Sequence, residues 1–189
     1  MALGFYFDMT RCIGCRACQV ACKDKNNLEI GTLFRNAVTY EVGAWPTVKI
    51  FNFSNTCNHC ENPACLAACA SGAIYKDEDG CVIIDSAMCD GCGACVEICP
   101  YKAPKMAGDV AIKCDACAYL RAKGEKPACV DACPNRALDF GNVDELKAKY
   151  GADLVCDLTI LPDSSMTKPN VLIKAKPIAV EGEAVEISW

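Results

Sequence analysis

Cys89-Asp90-Gly91-Cys92-Gly93-Ala94-Cys95-Val96-Glu97-Ile98-Cys99-Pro100 is the stretch that decides the reading of this chain. It is a C-x2-C-x2-C-x3-C-P run, and three more sets of four cysteines flank it. Upstream, Cys12, Cys15, Cys18 and Cys22 repeat the spacing, while Cys57, Cys60, Cys65 and Cys69 are spaced C-x2-C-x4-C-x3-C. Downstream, Cys114, Cys117, Cys129 and Cys133, followed by Pro134, are spaced C-x2-C-x11-C-x3-C. Sixteen of the 18 cysteines in 189 residues therefore fall into four sets of four. Four soft thiolates are the donor set of a cubane 4Fe-4S cluster. Four such sets in one short chain predict four clusters.

Two other chemistries use this much cysteine. A secreted disulfide scaffold is one. Against it, the start from Met1 to Asp8 lacks a basic n-region and an apolar h-region. The chain is also longer than the usual disulfide-dense domain, and its two-residue gaps recur too regularly. A structural-zinc or metal-storage protein is the other. Zinc sites mostly use separated C-x2-C pairs, often with histidine, and His59 is the only histidine. The compact x2, x2, x3 spacing is instead the ferredoxin pattern.

The net charge of −5 argues against nucleic acid as a partner. No apolar run reaches the ~18 residues of a membrane span, so no transmembrane segment is expected. No twin-arginine signal is found either. These features predict assembly in a reducing cytoplasm, compatible with later membrane association or co-export on a catalytic partner. No paired carboxylates, nucleophilic triad or phosphate-binding glycine loop stands out, so no catalytic residue is assigned.

The four sets form an internal repeat of small ferredoxin-like units. Gly4–Asp8 and Val48–Phe53 read as strands leading into the first and second sets. Ala73–Lys76 and Cys81–Asp85 flank Asp77-Glu78-Asp79-Gly80 as a hairpin, and Lys105-Met106 and Val110–Lys113 flank Gly108-Asp109 as another. Each C-x3-C is expected on a short helix. Asn142–Tyr150 reads as a separate helix, with Asn142 as N-cap and Gly151 ending it.

Beyond the cysteines, the context resembles one family. The matching residues include Gly4-Phe5-Tyr6-Phe7-Asp8, Cys57-Asn58-His59-Cys60-Glu61-Asn62-Pro63-Ala64-Cys65 and Cys99-Pro100-Tyr101-Lys102-Ala103-Pro104. Lys113-Cys114-Asp115-Ala116-Cys117, Cys133-Pro134-Asn135-Arg136-Ala137-Leu138-Asp139-Phe140-Gly141 and Thr167-Lys168-Pro169-Asn170 match as well. The chain resembles the four-cluster, ferredoxin-like electron-transfer (beta) subunits of the dimethyl sulfoxide reductase superfamily over roughly residues 4 to 174. It is most like their dimethyl sulfoxide reductase iron–sulfur subunits.

The resemblance implies an α+β fold of two ferredoxin-like two-cluster modules, with short strands, short helices and long loops. Residues 1–56 and 108–157 would form the first module (sets one and four), 57–107 the second (sets two and three), and 158–189 an extended C-terminal arm. It also implies crossed ligation: Cys12, Cys15, Cys18 and Cys133; Cys114, Cys117, Cys129 and Cys22; Cys57, Cys60, Cys65 and Cys99; and Cys89, Cys92, Cys95 and Cys69. Spacing alone leaves the pairing open. The implied function is relay of electrons between a donor and a molybdopterin-containing catalytic subunit of an anaerobic oxidoreductase. The donor would be a membrane anchor subunit or a soluble protein. A freestanding polyferredoxin carrier is the alternative. One departure is Ala70, where relatives often have proline after the fourth cysteine of the second set; a looser turn near Cys69 is expected.

Other residues have narrower expectations. Cys81 and Cys156 lie outside the sets and read as small buried hydrophobes. His59 is expected to orient its loop or to tune potential through a hydrogen bond, since Rieske-type ligation needs two histidines. Gly14, Gly91 and Gly93 suit positive-φ turns that bring the backbone close to sulfide. Pro100 and Tyr101 are candidates to cover a cluster. Lys102, Lys105, Lys113, Arg121, Lys123 and Lys126 make the middle of the sequence basic and, with the arm, are candidates for docking a partner.

Overall fold

Residues 2–187 are described by a computed structural model. Met1, Ser188 and Trp189, the outermost residues of the expected first module and arm, lie outside the described residues. In chain order the elements are β1 (Leu3–Asp8), α1 (Ala17–Lys25), β2 (Asn36–Val42), β3 (Lys49–Asn55), α2 (Ala64–Ala67), β4 (Ile74–Lys76), β5 (Val82–Ile84) and α3 (Ala94–Ile98). They continue with β6 (Lys105–Ala107), β7 (Val110–Ile112), α4 (Ala118–Arg121), α5 (Ala128–Asp131), β8 (Leu138–Asn142), α6 (Val143–Tyr150), β9 (Val171–Lys174), α7 (Ile178–Glu181) and β10 (Ala184–Ile187). This is the expected mixture of short strands, short helices and loops.

Two three-stranded sheets organise it, in the orders β8-β1-β9 and β10-β2-β3. β1 pairs antiparallel with β8 and parallel with β9. As the middle strand it buries both faces, and its side chains alternate between them. Phe5 and Phe7 enter the main apolar core, while Tyr6 turns to Leu146 and Leu172 under α6. There Tyr6 stacks on Tyr150, with ring centroids 3.6 Å apart. The main core also contains Cys18, Cys22, Cys57, Cys114, Cys129 and Cys133, so thiols stand where a protein of this size would normally place aliphatic side chains. A second core of Cys65, Ile74, Val82, Cys95 and Ala111 lies between the hairpins β4-β5 and β6-β7.

Both expected hairpins form, and α6 follows its capping logic. The Asn142 side chain accepts from the backbone amides of Asp144 (2.8 Å) and Glu145 (3.3 Å), and Gly151 ends the helix. At β8, Asp139 accepts from Lys149 and Tyr150 (both 2.7 Å) and from Lys126 (3.2 Å). Burial alone would raise its carboxyl. These donors, with the Phe140 amide, bring it down to about 2.

The reading of 158–189 as an extended arm needs correction. Leu158, Thr167, Val171, Leu172, Ile173 and Ala179 are all buried. The segment supplies β9 to one sheet and β10 to the other. Just before β9, the carbonyls of Lys168 and Thr167 accept from the amides of Glu61 and Asn62, and the Asn170 amide donates to the Asn58 carbonyl. Pro162, Pro169 and Pro177 fall between its elements. Among the described residues no helix is long and apolar enough to cross a membrane.

Ile173→Ala, at a fully buried position of β9, should cost about 2–5 kcal/mol. Val185→Ala, on the exposed face of β10, should cost less than about 1 kcal/mol. Thermal melts followed by circular dichroism would rank them; equal midpoints would return 158–187 to the status of an arm.

Candidate metal centres

The thiols gather into groups that mix the sequence sets. Cys12, Cys15 and Cys18 line one cavity together with Cys133. Cys57, Cys60 and Cys65 line a second with Cys99. Cys89, Cys92 and Cys95 line a third with Cys69. In the remaining group, burial pushes the Cys22 thiol up to about 12, and the Cys114, Cys129 and Cys117 thiols beside it act in the same direction. Cys15 and Cys92 are exposed, whereas the group around Cys22 is buried throughout.

The sheets bring distant thiols together. The antiparallel register of β1 and β8 sets Phe7 opposite Leu138, and the Asp8 amide donates to the Ala137 carbonyl (2.8 Å). The loop carrying Cys12 therefore starts beside the turn that carries Cys133. Helices α1 and α5 pack together and hold Cys22 near Cys129. Helices α2 and α3 do the same for Cys65 and Cys95. Only α1 spans both cysteines of its C-x3-C; Cys69, Cys99 and Cys133 fall just beyond the short helices that precede them.

One backbone device recurs in all four sets. The residue before the second cysteine is left-handed each time: Gly14 (φ 72°), His59 (φ 44°), Gly91 (φ 71°) and Ala116 (φ 53°). In the first and third sets the residue after it is left-handed as well, as Arg16 (φ 62°) and Gly93 (φ 74°). The sequence pointed to this conformation only at glycines and missed His59, Ala116 and Arg16. Their signal was positional, since each occupies the place that glycine takes in a sister set.

Backbone amides point at sulfur in three of the groups. Ala137 donates to Cys133 Sγ (3.2 Å), Ala111 to Cys89 Sγ and Ala116 to Cys114 Sγ (both 3.4 Å). Burial opposes ionisation of Cys69. The Ser71 hydroxyl and the Ile74, Ala73 and Gly72 amides nevertheless bring its thiol below the ordinary value. The turn without proline is thus held by hydrogen bonds.

Elsewhere burial dominates and pushes the Cys65 thiol up to about 12 and the Cys60 thiol up to about 11. Four such thiols ionise together only around a strongly cationic centre, which a core of four irons supplies. Among the described residues no three His, Cys, Asp or Glu side chains converge on a single-ion position. The thiols are spread over cavity walls, and this donor set fits a polynuclear cluster.

His59 is fully buried, and its Nδ1 accepts from the Val82 amide (3.0 Å), so the neutral ring carries its proton on Nε2. Burial, then the charges of Lys113 and Arg121, hold its pKa well below the usual range. Pro100 and Tyr101 line the cavity of Cys57, Cys60, Cys65 and Cys99, as expected of a cover. Cys81 is fully buried, and Cys156 donates to the Val171 carbonyl (3.1 Å).

The basic middle region is not one docking patch. Lys113 is buried and donates to the carbonyls of Val82 and of Cys114, the latter at 2.8 Å. Arg121 pairs with Asp79 and with Asp77 (2.6 Å), and Lys126 with Asp139. Lys123 lies over the Tyr119 ring (4.2 Å). Only Lys102 and Lys105 are without such a role, and they line a separate open cleft.

Comparison with known proteins agrees with this chemistry. The family model described as a 4Fe-4S dicluster domain matches residues 48–143, and one described as a 4Fe-4S binding domain matches 9–25. Fold and cavities therefore define a ferredoxin-like 4Fe-4S iron–sulfur protein. The B subunit of the anaerobic dimethyl sulfoxide reductase of Escherichia coli (strain K12) is 44% identical over 182 residues, which cover 90% of this chain and 87% of that protein. The thiosulfate reductase electron transfer subunit PhsB of Salmonella typhi is 42% identical over 143 residues (73% and 74%). The B subunit of the polysulfide reductase of Wolinella succinogenes is 33% identical over 183 residues (90% and 92%). This protein belongs to the family of the dimethyl sulfoxide reductase iron–sulfur subunits.

The glycines of the third set give a differential test. A Cβ at Gly91 would collide with the Asp109 carbonyl, whereas one at Gly93 would meet open space. Left-handed backbone costs an alanine about 1–2 kcal/mol at either place. Gly93→Ala should therefore keep its iron, while Gly91→Ala should lose the iron held by this set. Iron per chain after anaerobic purification is the measurement, and equal iron in the two variants would count against the tight loop.

Proposed function

We propose that this chain is an electron-transfer subunit with four 4Fe-4S clusters. It relays electrons between a donor and a molybdopterin-containing catalytic subunit of an anaerobic oxidoreductase. The observation that supports the reading most is the lining of three cavities, each by three cysteines of one set and one of another; Cys22, Cys114, Cys117 and Cys129 remain as the fourth group, close enough to act on one another. The ligands are Cys12, Cys15, Cys18 and Cys133; Cys22, Cys114, Cys117 and Cys129; Cys57, Cys60, Cys65 and Cys99; and Cys69, Cys89, Cys92 and Cys95. When bound, the clusters supply reversible one-electron transfer. The chain's own residues hold them by sulfur, donate amides to that sulfur, and exclude water.

Neighbouring groups suggest an order. Cys18 is close enough to feel the Cys129 thiol, and Cys114 feels Cys57. Cys65 and Cys95 share one apolar core. The groups would thus form a row from the exposed Cys15, through the buried Cys22 group and the half-buried Cys57 group, to the exposed Cys92. Electrons would enter at one end and leave at the other.

We keep residues 1–56 with 108–157, and 57–107, as the two modules, although the apolar cores follow this division only in part: Cys57 and Ala103 join the main core and Ala111 the second. The tail from 158 clasps both. A membrane anchor or a soluble protein would serve as donor. The relatives are named as single components of reductases, one of them as an electron transfer subunit, and this favours a subunit over a freestanding polyferredoxin.

Fully loaded chain should contain about sixteen iron atoms, four per four-cysteine site, by anaerobic iron and acid-labile sulfide analysis. Half that value would end the four-cluster reading. Cys133→Ser should alter the electron paramagnetic resonance signal that Cys12→Ser alters, and Cys81→Ser should alter none. The reduced chain should turn over a terminal acceptor only when its catalytic subunit is added, as followed by stopped-flow reoxidation. Saturable turnover by the chain alone would contradict the role of subunit.

A further inference from the structure

Arg35 is a charged side chain with no carboxylate partner in the interior. It is 1% exposed, and none of the ion pairs among the described residues includes it. Its Nη1 donates to the Ser54 carbonyl (3.1 Å) and hydroxyl (3.2 Å). Nε and Nη2 have no hydrogen-bond partner among the described residues. One face of the guanidinium is covered by the Phe5 ring, 4.6 Å away.

Removing an ion from water costs several kcal/mol unless an opposite charge is near. The candidates here are sulfur. The Ser54 hydroxyl that Arg35 holds stands 3.4 Å from Cys18 Sγ. Burial opposes the charge of Arg35, and the surrounding thiols of Cys129, Cys18, Cys114 and Cys22 favour it. Three of these belong to the buried group of Cys22, Cys114, Cys117 and Cys129, and Cys18 belongs to its neighbour. Lys113 approaches Cys114 from elsewhere, but its ammonium is already held by two carbonyls.

On the premise of the four-cluster reading above, we infer that Arg35 is a fixed countercharge that raises the reduction potential of the Cys22/Cys114/Cys117/Cys129 cluster. It raises that of the Cys12/Cys15/Cys18/Cys133 cluster as well. Reduction adds one electron to a cluster whose thiolates are already anionic. A cation in low dielectric stabilises that product more than the oxidised form. No proton moves, because a guanidinium stays charged throughout. Arg35 is thus a positioning residue that acts through electrostatics.

The test is a redox titration of the full chain, monitored by electron paramagnetic resonance with dithionite as reductant, in unmutated protein, Arg35→Met and Arg35→Lys. Iron is measured first. An unmutated chain without four clusters would refute the premise instead of this inference. In Arg35→Met the reduced-to-oxidised ratio of the inner cluster at fixed poise should fall at least tenfold, about 59 mV for a one-electron couple. The two clusters of the second module should stay put, and Arg35→Lys should remain nearer the unmutated value. Unchanged potentials, or an equal shift in all four clusters, would overturn it. Should Arg35→Met fail to retain its clusters, hyperfine spectroscopy of unmutated chain labelled with guanidino-15N arginine decides. A nitrogen coupling to the reduced inner cluster is expected, and its absence overturns the assignment.

Discussion

Each group of thiols draws one member from a distant part of the chain, and the rest of the architecture follows from that demand. A loop of three cysteines is local, but bringing Cys133 to Cys12 or Cys22 to Cys114 requires long loops to close. Closure entropy grows slowly with length, so the cost is tolerable if the ends are held. The sheet β8-β1-β9 holds them, because β1 runs into the first loop and β8 leaves the turn of Cys133. The helix pairs α1/α5 and α2/α3 do the same for the other crossings. Regular structure is sparse in this protein because its role is to fix where loops begin.

The second demand is electrostatic. Thiolates are poor occupants of an apolar interior, and the chain answers with oriented dipoles and a few buried cations. The amides of Ala111, Ala116 and Ala137 point at the sulfurs of Cys89, Cys114 and Cys133. His59 is kept neutral and used as an acceptor for the Val82 amide. Lys113 braces Val82 and Cys114 through their carbonyls. The same economy explains why the basic middle region is mostly internal. Arg121 ties α4 to the β4-β5 turn, and Lys126 serves Asp139.

Much of this was legible in the sequence, where local rules govern. The hairpins, the capped helix α6, the glycine turns and the buried Cys81 each follow from a short run of residues. The crossed grouping needed a family resemblance, because spacing says which cysteines share a loop and nothing of which loops meet. Strand β2 escaped notice because Asn36–Val42 mixes polar and apolar residues in a sheet with one face partly exposed. Left-handed His59 and Ala116 were hidden because tertiary packing holds them where propensity would choose glycine. The tail was misjudged for a related reason. Its prolines break local structure, but the pairing of β9 and β10 is decided by partners more than a hundred residues away.

That late pairing also has a temporal side. The strands that complete both sheets, β9 and β10, are the last described parts of the protein to leave the ribosome. Until they arrive, β1 lacks its parallel neighbour and β2 has one open edge. Cys12, Cys15 and Cys18 are translated long before Cys133, which completes the lining of their cavity. The first cavity therefore lacks one of its four thiols until residue 133 has been made.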